Sequence, residues 1–419
     1  MSRALAEALR APAEKRYRAG TQRQRAPQET LARLRPLMPE LGITRLANIT
    51  GLDHIGLPVW VAIRPNSRGL SSSQGKGLSH DCAKVSALME SIENWHAEHI
   101  MLPLRRESAR RLAQGAAVAD IGGLGHYEAA PPRADLPIDW VQGLDLFNGR
   151  DTWLPLDCVS TSYVVGPGGE LGAAFVQSSN GLAGGNSLLE ATCHALSELI
   201  ERDAIARRAD ALRRHEAALR VDPDSVDDVD CRGLLLRLRE AGMQFSLLDL
   251  TIDTGVPVYA CCIVDAAEQT RWRHLPAFNG YGCHLDPAIA LLRAITEAVQ
   301  SRLTHISGSR DDIFPEDYRR GGHPDELASL RARMAEGAPQ RRFAERRSQA
   351  GSDFRADLDA LLEGLRRVGL GQALVVDLSQ PQLGVPVVKA VVPGLAAPTV
   401  LLGGRRVRQG RVWRAEDAA

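Results

Sequence analysis

No apolar run in this 419-residue sequence approaches the roughly 20 residues that a membrane helix needs, so a spanning helix is not expected. Net charge is lacking too. Lys plus Arg and Asp plus Glu both number 51, which leaves no global field to draw nucleic acid or an anionic membrane. The opening stretch MSRALAEALRAPAEKRYRAG mixes acids with bases around no apolar segment, unlike a secretory signal, and a cytoplasmic setting is expected. The seven cysteines, Cys82, Cys158, Cys193, Cys231, Cys261, Cys262 and Cys283, include no Cys-x-x-Cys pair. A structural zinc site usually shows paired ligands at short spacing, so reduced, mostly buried thiols are expected instead. A phosphate-binding glycine loop is also missing. In RGLSSSQGKG, Gly69 and Gly75 enclose five residues where a Walker loop has four, and Gly77 follows Lys76 where Ser or Thr is required. Lys76 suits either a phosphate contact or a solvated turn.

What is present is ordinary for a soluble globular protein: 44% hydrophobic and 24% charged residues, with length for two or three domains or one composite fold. The first 40 residues read as helical and break at Pro36, Pro39 and Gly42. Residues 71–77 read as a small-residue loop leading into a helix through about His99. Asn148-Gly149, between two apolar-aromatic runs, is a hairpin signal. A short strand is expected at 173–177, then the loop SSNGLAGGN, a helix over about 187–212 and another over about 287–305. An internal repeat follows. LLLRLREAGMQFSLLDLTIDTGVPVYACCIVD and ALLEGLRRVGLGQALVVDLSQPQLGVPVVKAVVP share the order helix, Gly stop, strand, turn, strand. This predicts an α+β architecture with antiparallel pairing, in which the apolar strands serve as scaffold. Residues 1–45 form an N-terminal helical segment in this reading, and 46–419 the main domain, with a partly mobile insertion at about 307–352.

Three of the predicted helices carry acids in a repeated spacing. On the first, Val85, Leu88, Met89, Ile92 and Trp95 form an apolar face, and Ser86, Glu90 and Glu93 cluster elsewhere. On the second, Leu188, Leu189, Leu196, Leu199 and Ile200 are the apolar face, opposite Glu190, Glu198 and Glu201, with Arg202 adjoining. On the third, Arg293, Glu297 and Gln300 share a face. One such stripe is ordinarily the wet side of a helix; three of them, with few lysines interspersed, suit a different use. Side chains three or four apart are neighbours and can reach one ion. Hard divalent cations such as Mg²⁺ take oxygen ligands and commonly bridge carboxylates to phosphates. Arg202 and Arg293 are suited to phosphate directly. Metal ions in place of a glycine loop would then carry the phosphates. The stretch GSRDD, with Arg310 and Asp312, suits a substrate contact or, more simply, a cap or salt bridge.

SQGKG…SALMESIE, SNGLAGGNSLLEATCHALSELIERDA and RAITEAVQSR resemble, in the right order, the three signature helices of the YcaO family. The resemblance implies a YcaO-type α+β fold, a site for ATP and Mg²⁺, and activation of peptide backbone amides. Carried over position by position, it places metal ligation on Glu90, Glu93, Glu198, Glu201 and Glu297. It places nucleotide contacts on Asn186, Glu190, Glu198, Arg202, Arg293 and Gln300, with Arg23, Thr30 and Ser179 as further candidates. Glu201, Arg202 and Arg293 are the implied catalytic residues.

In this family's chemistry a nucleophile adds to the amide carbon and the oxyanion formed attacks ATP. A neighbouring Cys, Ser or Thr then gives an azoline, whereas external sulfide gives a thioamide. Azoline-forming members end in a Pro-rich PxPxP tail, and the final residues here, LLGGRRVRQGRVWRAEDAA, contain none. The expectation is thioamidation of a ribosomally made peptide or protein with a TfuA-like partner, with cyclodehydration or an ATP-binding scaffold as alternatives. A homodimer is expected from the resemblance; nucleic acid and membrane partners are not.

Overall fold

The computed structural model describes residues 2–128, 131–164, 175–266, 275–320, 322–397 and 407–408. The chain divides into two compact units. One comprises Met1–Lys15, Ile92–Arg207 and Gly351–Ala419, and the other Arg16–Ser91 and Arg208–Ala350.

Helix α1 (Ser2–Arg10) opens the first unit. In the second unit, α2 (Pro27–Leu34) precedes the antiparallel sheet β1 (Arg45–Asn48), β2 (Val59–Ile63), β3 (Ser72–Lys76). Helix α3 (His80–Glu98) starts in the second unit and ends in the first. The first unit continues with β4 (Leu104–Ser108), α4 (Ala109–Leu112), β5 (Ala117–Val118), β6 (His126–Tyr127), β7 (Pro137–Asp145) and β8 (Asp151–Pro155). Strand β9 (Leu182–Gly184) and α5 (Leu188–Arg207) follow. The second unit then adds α6 (Ala209–Arg214), α7 (Val229–Glu240), the antiparallel sheet β10 (Met243–Asp249), β11 (Val258–Asp265), β12 (Phe278–Cys283), and α8 (Pro287–Ser307). Helices α9 (Pro315–Arg320) and α10 (Pro324–Ala335) complete it. The first unit closes with α11 (Phe354–Arg367), β13 (Leu374–Asp377), β14 (Val387–Val391) and β15 (Val407–Arg408).

The main sheet of the first unit runs β5-β8-β7-β13-β14-β9, with β4 beside β7; its pairs are antiparallel apart from β5 and β8. This mixed helix-and-sheet architecture is the fold class expected. Both copies of the repeat are realised: α7 leads into the β10–β11 pair and α11 into the β13–β14 pair, one copy per unit. Gly242 and Gly369 lie at φ 65° and 76° just after those helices, where a left-handed backbone ends a helix at low cost for glycine. The Asn148-Gly149 turn joins β7 to β8 as read from sequence.

Several local expectations are revised. Residues 72–76 form a strand paired to β2 in place of a loop; Ser72, Ser73, Gln74 and Gly75 are all buried, and the small Ser72, Ser73 and Gly75 allow close packing. The helix expected over 187–212 is two helices, separated at Arg208 (φ −102°, ψ 12°). Among the described residues of the first 40, only 2–10 and 27–34 are α-helical. Within 307–352, α10 buries Leu327 and Met334 against Cys262 and Val264. The strand expected at 173–177 falls partly outside the described residues; Phe175 makes an isolated bridge to His126.

All seven cysteines are free thiols, and burial pushes Cys158 and Cys262 each up to about 12. They are packing groups here. No helix among the described residues is long and apolar enough to cross a membrane.

Candidate functional site

In the second unit, β3 draws together acids from two helices. The backbone N–H of Gln74 donates to Glu90 Oε2 of α3 at 3.0 Å. Two residues along the strand, Lys76 Nζ donates to Glu297 Oε2 of α8 at 2.7 Å. The other oxygen of Glu297 accepts the N–H of Tyr281 in β12 at 3.3 Å. Each carboxylate is thereby aimed by a strand amide as well as by its helix.

Glycine makes this closeness possible. A Cβ on Gly75 would stand 2.1 Å from the Ala83 carbonyl oxygen and from the Ala87 nitrogen. On Gly280 it would stand 2.1 Å from the Ala298 nitrogen. The strands therefore lie directly on the helix backbones, which only glycine permits. The glycine of SQGKG thus serves strand–helix packing, and its Lys meets a carboxylate rather than open solvent.

In the first unit, Glu93 Oε1 of α3 accepts the N–H of Gly184 at 2.6 Å. Two residues on, Asn186 Nδ2 reaches both oxygens of Glu190 at 3.2 and 3.3 Å. Ser187 Oγ accepts the N–H of Glu190 at 3.2 Å, satisfying a helix N-terminal donor in the manner of a cap. Arg202 stands 3.7 Å from Glu198 and 4.0 Å from Glu201. Glu190 and Glu201 are each only 3% exposed, so they are not the wet side of α5. Carboxylates at such depth are costly unless partnered, and Asn186 serves Glu190 and Arg202 stands by Glu201.

One sequence signal is common to the three helices. Ala83, Ala87 and Glu90 stand at i, i+4, i+7; so do Ala191, Ala195 and Glu198, and so do Ala290, Ala294 and Glu297. The six alanines have no measurable exposure. A small-residue face lets a strand settle on the helix, and the acid one turn further on emerges at the strand's flank. The next member of the face is Glu93, Glu201 or Gln300.

The buried Nε of Arg293 and Oε1 of Gln300 on α8, and Nε2 of Gln74 on β3, have no hydrogen-bond partner among the described residues. Arg23 pairs through its backbone with Tyr17 and donates Nη1 to the Gln22 carbonyl. Thr30 is buried in α2 with its hydroxyl on the Ala26 carbonyl at 3.3 Å. Ser179 is exposed and accepts the N–H of Leu182 through its carbonyl, in a turn where Gly181 has φ 77°. Arg310 forms a two-point pair with Asp312, the salt-bridge reading of GSRDD, while Asp311 accepts the N–H and hydroxyl of Ser71.

Sequence reading missed Lys389. It lies on β14, in a strand whose apolar pattern predicts scaffold, is 2% exposed, and donates to the Ser178 carbonyl. Burial lowers its pKa to about 8, against the opposing pull of Glu198 and Cys158.

Among the described residues no three His, Cys, Asp or Glu side chains are gathered closely enough to enclose a metal. The donor set nonetheless fits Mg²⁺ and a nucleotide by its chemistry. It is made of carboxylate and amide oxygens, with orphaned buried donors and acceptors on α8 and β3, and Glu297 already holds a cation, the Lys76 ammonium.

Comparison with known proteins follows the same line. The family model described as YcaO cyclodehydratase, ATP- and Mg²⁺-binding, matches residues 74–396. The uncharacterised protein in the tfuA 3′ region of Rhizobium leguminosarum bv. trifolii is 37% identical over 375 residues, covering 88% of this chain and 87% of that protein. Among solved structures, a heterocyclase in complex with substrate and cofactor superposes with a TM-score of 0.76 at 24% identity, over 92% of this chain. This chain spans only 54% of that heterocyclase. YcaO from Methanopyrus kandleri, bound with AMPPCP and Mg²⁺, gives a TM-score of 0.69 at 24% identity, over 91% of this chain and 94% of that one.

Proposed function

Because the chain belongs to the YcaO family, we propose that it uses ATP and Mg²⁺ to activate a peptide backbone amide and exchanges the amide oxygen for sulfur. In this reading sulfide adds to the amide carbon and the carbonyl becomes an oxyanion. The oxyanion takes the γ-phosphoryl group of ATP, releasing ADP. Collapse expels phosphate with the former amide oxygen, a proton leaves sulfur, and a thioamide remains. Magnesium, when bound, supplies charge neutralisation on the phosphates.

The chain's own residues divide the work. Glu90, Glu93, Glu198, Glu201 and Glu297 hold the metal. Asn186 fixes Glu190 toward the nucleotide, and Arg23, Thr30, Ser179 and Gln300 contribute nucleotide contacts. Arg202 and Arg293 bear on the phosphates, where a planar guanidinium can make paired bonds. The observation that carries the reading is the set of three Ala-Ala-Glu helix faces, each followed by a second acid or amide, with Glu190 and Glu201 buried.

Sulfur transfer to a ribosomally made peptide or protein is favoured by the relative from a tfuA region, which also supports a TfuA-like partner acting with this chain. We take the working form to be a homodimer. The family's description as a cyclodehydratase favours a second reading, ring closure by a neighbouring Cys, Ser or Thr. Mass spectrometry of candidate peptides incubated with protein, ATP, Mg²⁺ and sulfide, with and without partner, separates the two. A mass gain of one sulfur-for-oxygen exchange is expected; loss of one water would establish ring closure instead. A peptide left unaltered, with no ATP consumed, would leave only an ATP-binding scaffold.

A further inference from the structure

The ammonium of Lys76 sits on a carboxylate that the proposed function assigns to Mg²⁺. The pair is tight, at 2.7 Å, and half-buried, with the two side chains 18% and 23% exposed. Its setting is rigid. Lys76 is the last residue of β3 and is registered opposite Val59 of β2. Gly75 is pressed on the α3 backbone, and a Cβ on Gly77 would stand 2.4 Å from Cys82 Cβ. The strand therefore has little room to shift, and only the four-carbon arm of Lys76 can carry its charge elsewhere. Glu297 is equally fixed, by its helix and by the Tyr281 N–H.

We infer that Lys76 is a built-in counter-cation that competes with Mg²⁺ for Glu297, and that the metal enters by displacing it. The inference rests on the Mg²⁺–ATP reading above. Two cations cannot share one carboxylate oxygen at contact distance without strong repulsion, so occupancy of Glu297 Oε2 by one excludes the other. The released ammonium, a compact point charge on a flexible stem, would then be available to the incoming phosphates. Binding metal with nucleotide is thereby favoured over binding metal alone, because only the nucleotide offers Lys76 a new anion. A merely structural salt bridge would carry no such coupling.

The test uses the full chain and Mn²⁺ as a spectroscopic stand-in for Mg²⁺. Mn²⁺ binding is measured by electron paramagnetic resonance without nucleotide and with AMPPCP, for wild type, Lys76→Met and Lys76→Arg. Removing the competitor should tighten nucleotide-free Mn²⁺ binding by about 3- to 10-fold in Lys76→Met, while Lys76→Arg stays near wild type. The tightening from AMPPCP should shrink in Lys76→Met by a similar factor. In parallel, Mg²⁺ should raise the melting temperature more in Lys76→Met than in wild type. Lys76→Gln carries the same test should the Met variant fail to fold. Unchanged or weaker Mn²⁺ affinity in a folded Lys76→Met, with wild type binding normally, overturns this inference alone. Absence of Mn²⁺ binding in wild type, with and without AMPPCP, overturns it together with the Mg²⁺–ATP reading.

Discussion

Lys389 and Ser178 are joined by a bond from a buried ammonium to a backbone carbonyl, which ties β14 to the residues leading into Ser179 and the Gly181 turn. The same turn is held to β14 by the Ala390 N–H on the Gly181 carbonyl, at 2.7 Å. Burial lowers the lysine's pKa from 10.5 to about 8. Below pH 8 both folded and unfolded chains carry the proton, and the folded state bears the full cost of a buried charge. Between pH 8 and 10.5 the unfolded chain binds more protons, so the folded state gains stability as pH rises. Compared with Lys389→Met, wild type should gain of the order of 3 kcal/mol of unfolding free energy across that window, read by denaturant titration. Parallel pH profiles for the two proteins would disprove the assignment.

Asn186 bridges both oxygens of Glu190. Asn186→Ala leaves that buried acid without this donor, and it should raise KM for ATP by about 10-fold or more with a smaller fall in kcat. Steady-state ATPase assays check this; a loss confined to kcat would place Asn186 outside nucleotide binding.

Glu201 lies buried beside Arg202. Glu201→Gln preserves shape and removes charge, so the fold should persist by circular dichroism. ATP turnover should drop by about two to three orders of magnitude or more, as when a charge-stabilising group is lost. Wild-type turnover in this variant would remove Glu201 from the metal set.

Lys15 and Asp357 pair at 2.6 Å with side chains 0% and 4% exposed, and Lys15 also donates to the Gly351 carbonyl. Lys15→Met strands a buried carboxylate and should cost about 3–5 kcal/mol in stability, which the double variant Lys15→Met/Asp357→Leu should largely restore. Chemical denaturation gives the cycle; no recovery in the double variant would mean that the ammonium's other contacts dominate.

These positions also show what sequence could and could not convey. Helix α8 and the Asn148-Gly149 hairpin follow from periodicity and turn chemistry, which are local. Strand β3 does not, because Ser72, Ser73 and Gly75 have little strand preference and are held by pairing to β2 and by α3 beneath them. The acids on α5 have the spacing that a solvated face would also have, so period alone could not say that Glu190 and Glu201 are buried. Lys389 was hidden for the opposite reason. It is a lone charge in VVKAVV, where an apolar strand reads as core and the partner carbonyl is far away in sequence.

The most direct test of the account is calorimetric titration of AMPPCP into wild type, Glu90→Gln, Glu198→Gln and Glu297→Gln, each with Mg²⁺ and with EDTA. Wild type should bind only when Mg²⁺ is present, and each variant should lose at least tenfold in affinity, about 1.4 kcal/mol. Equal binding in EDTA, or variants indistinguishable from wild type, would contradict the account.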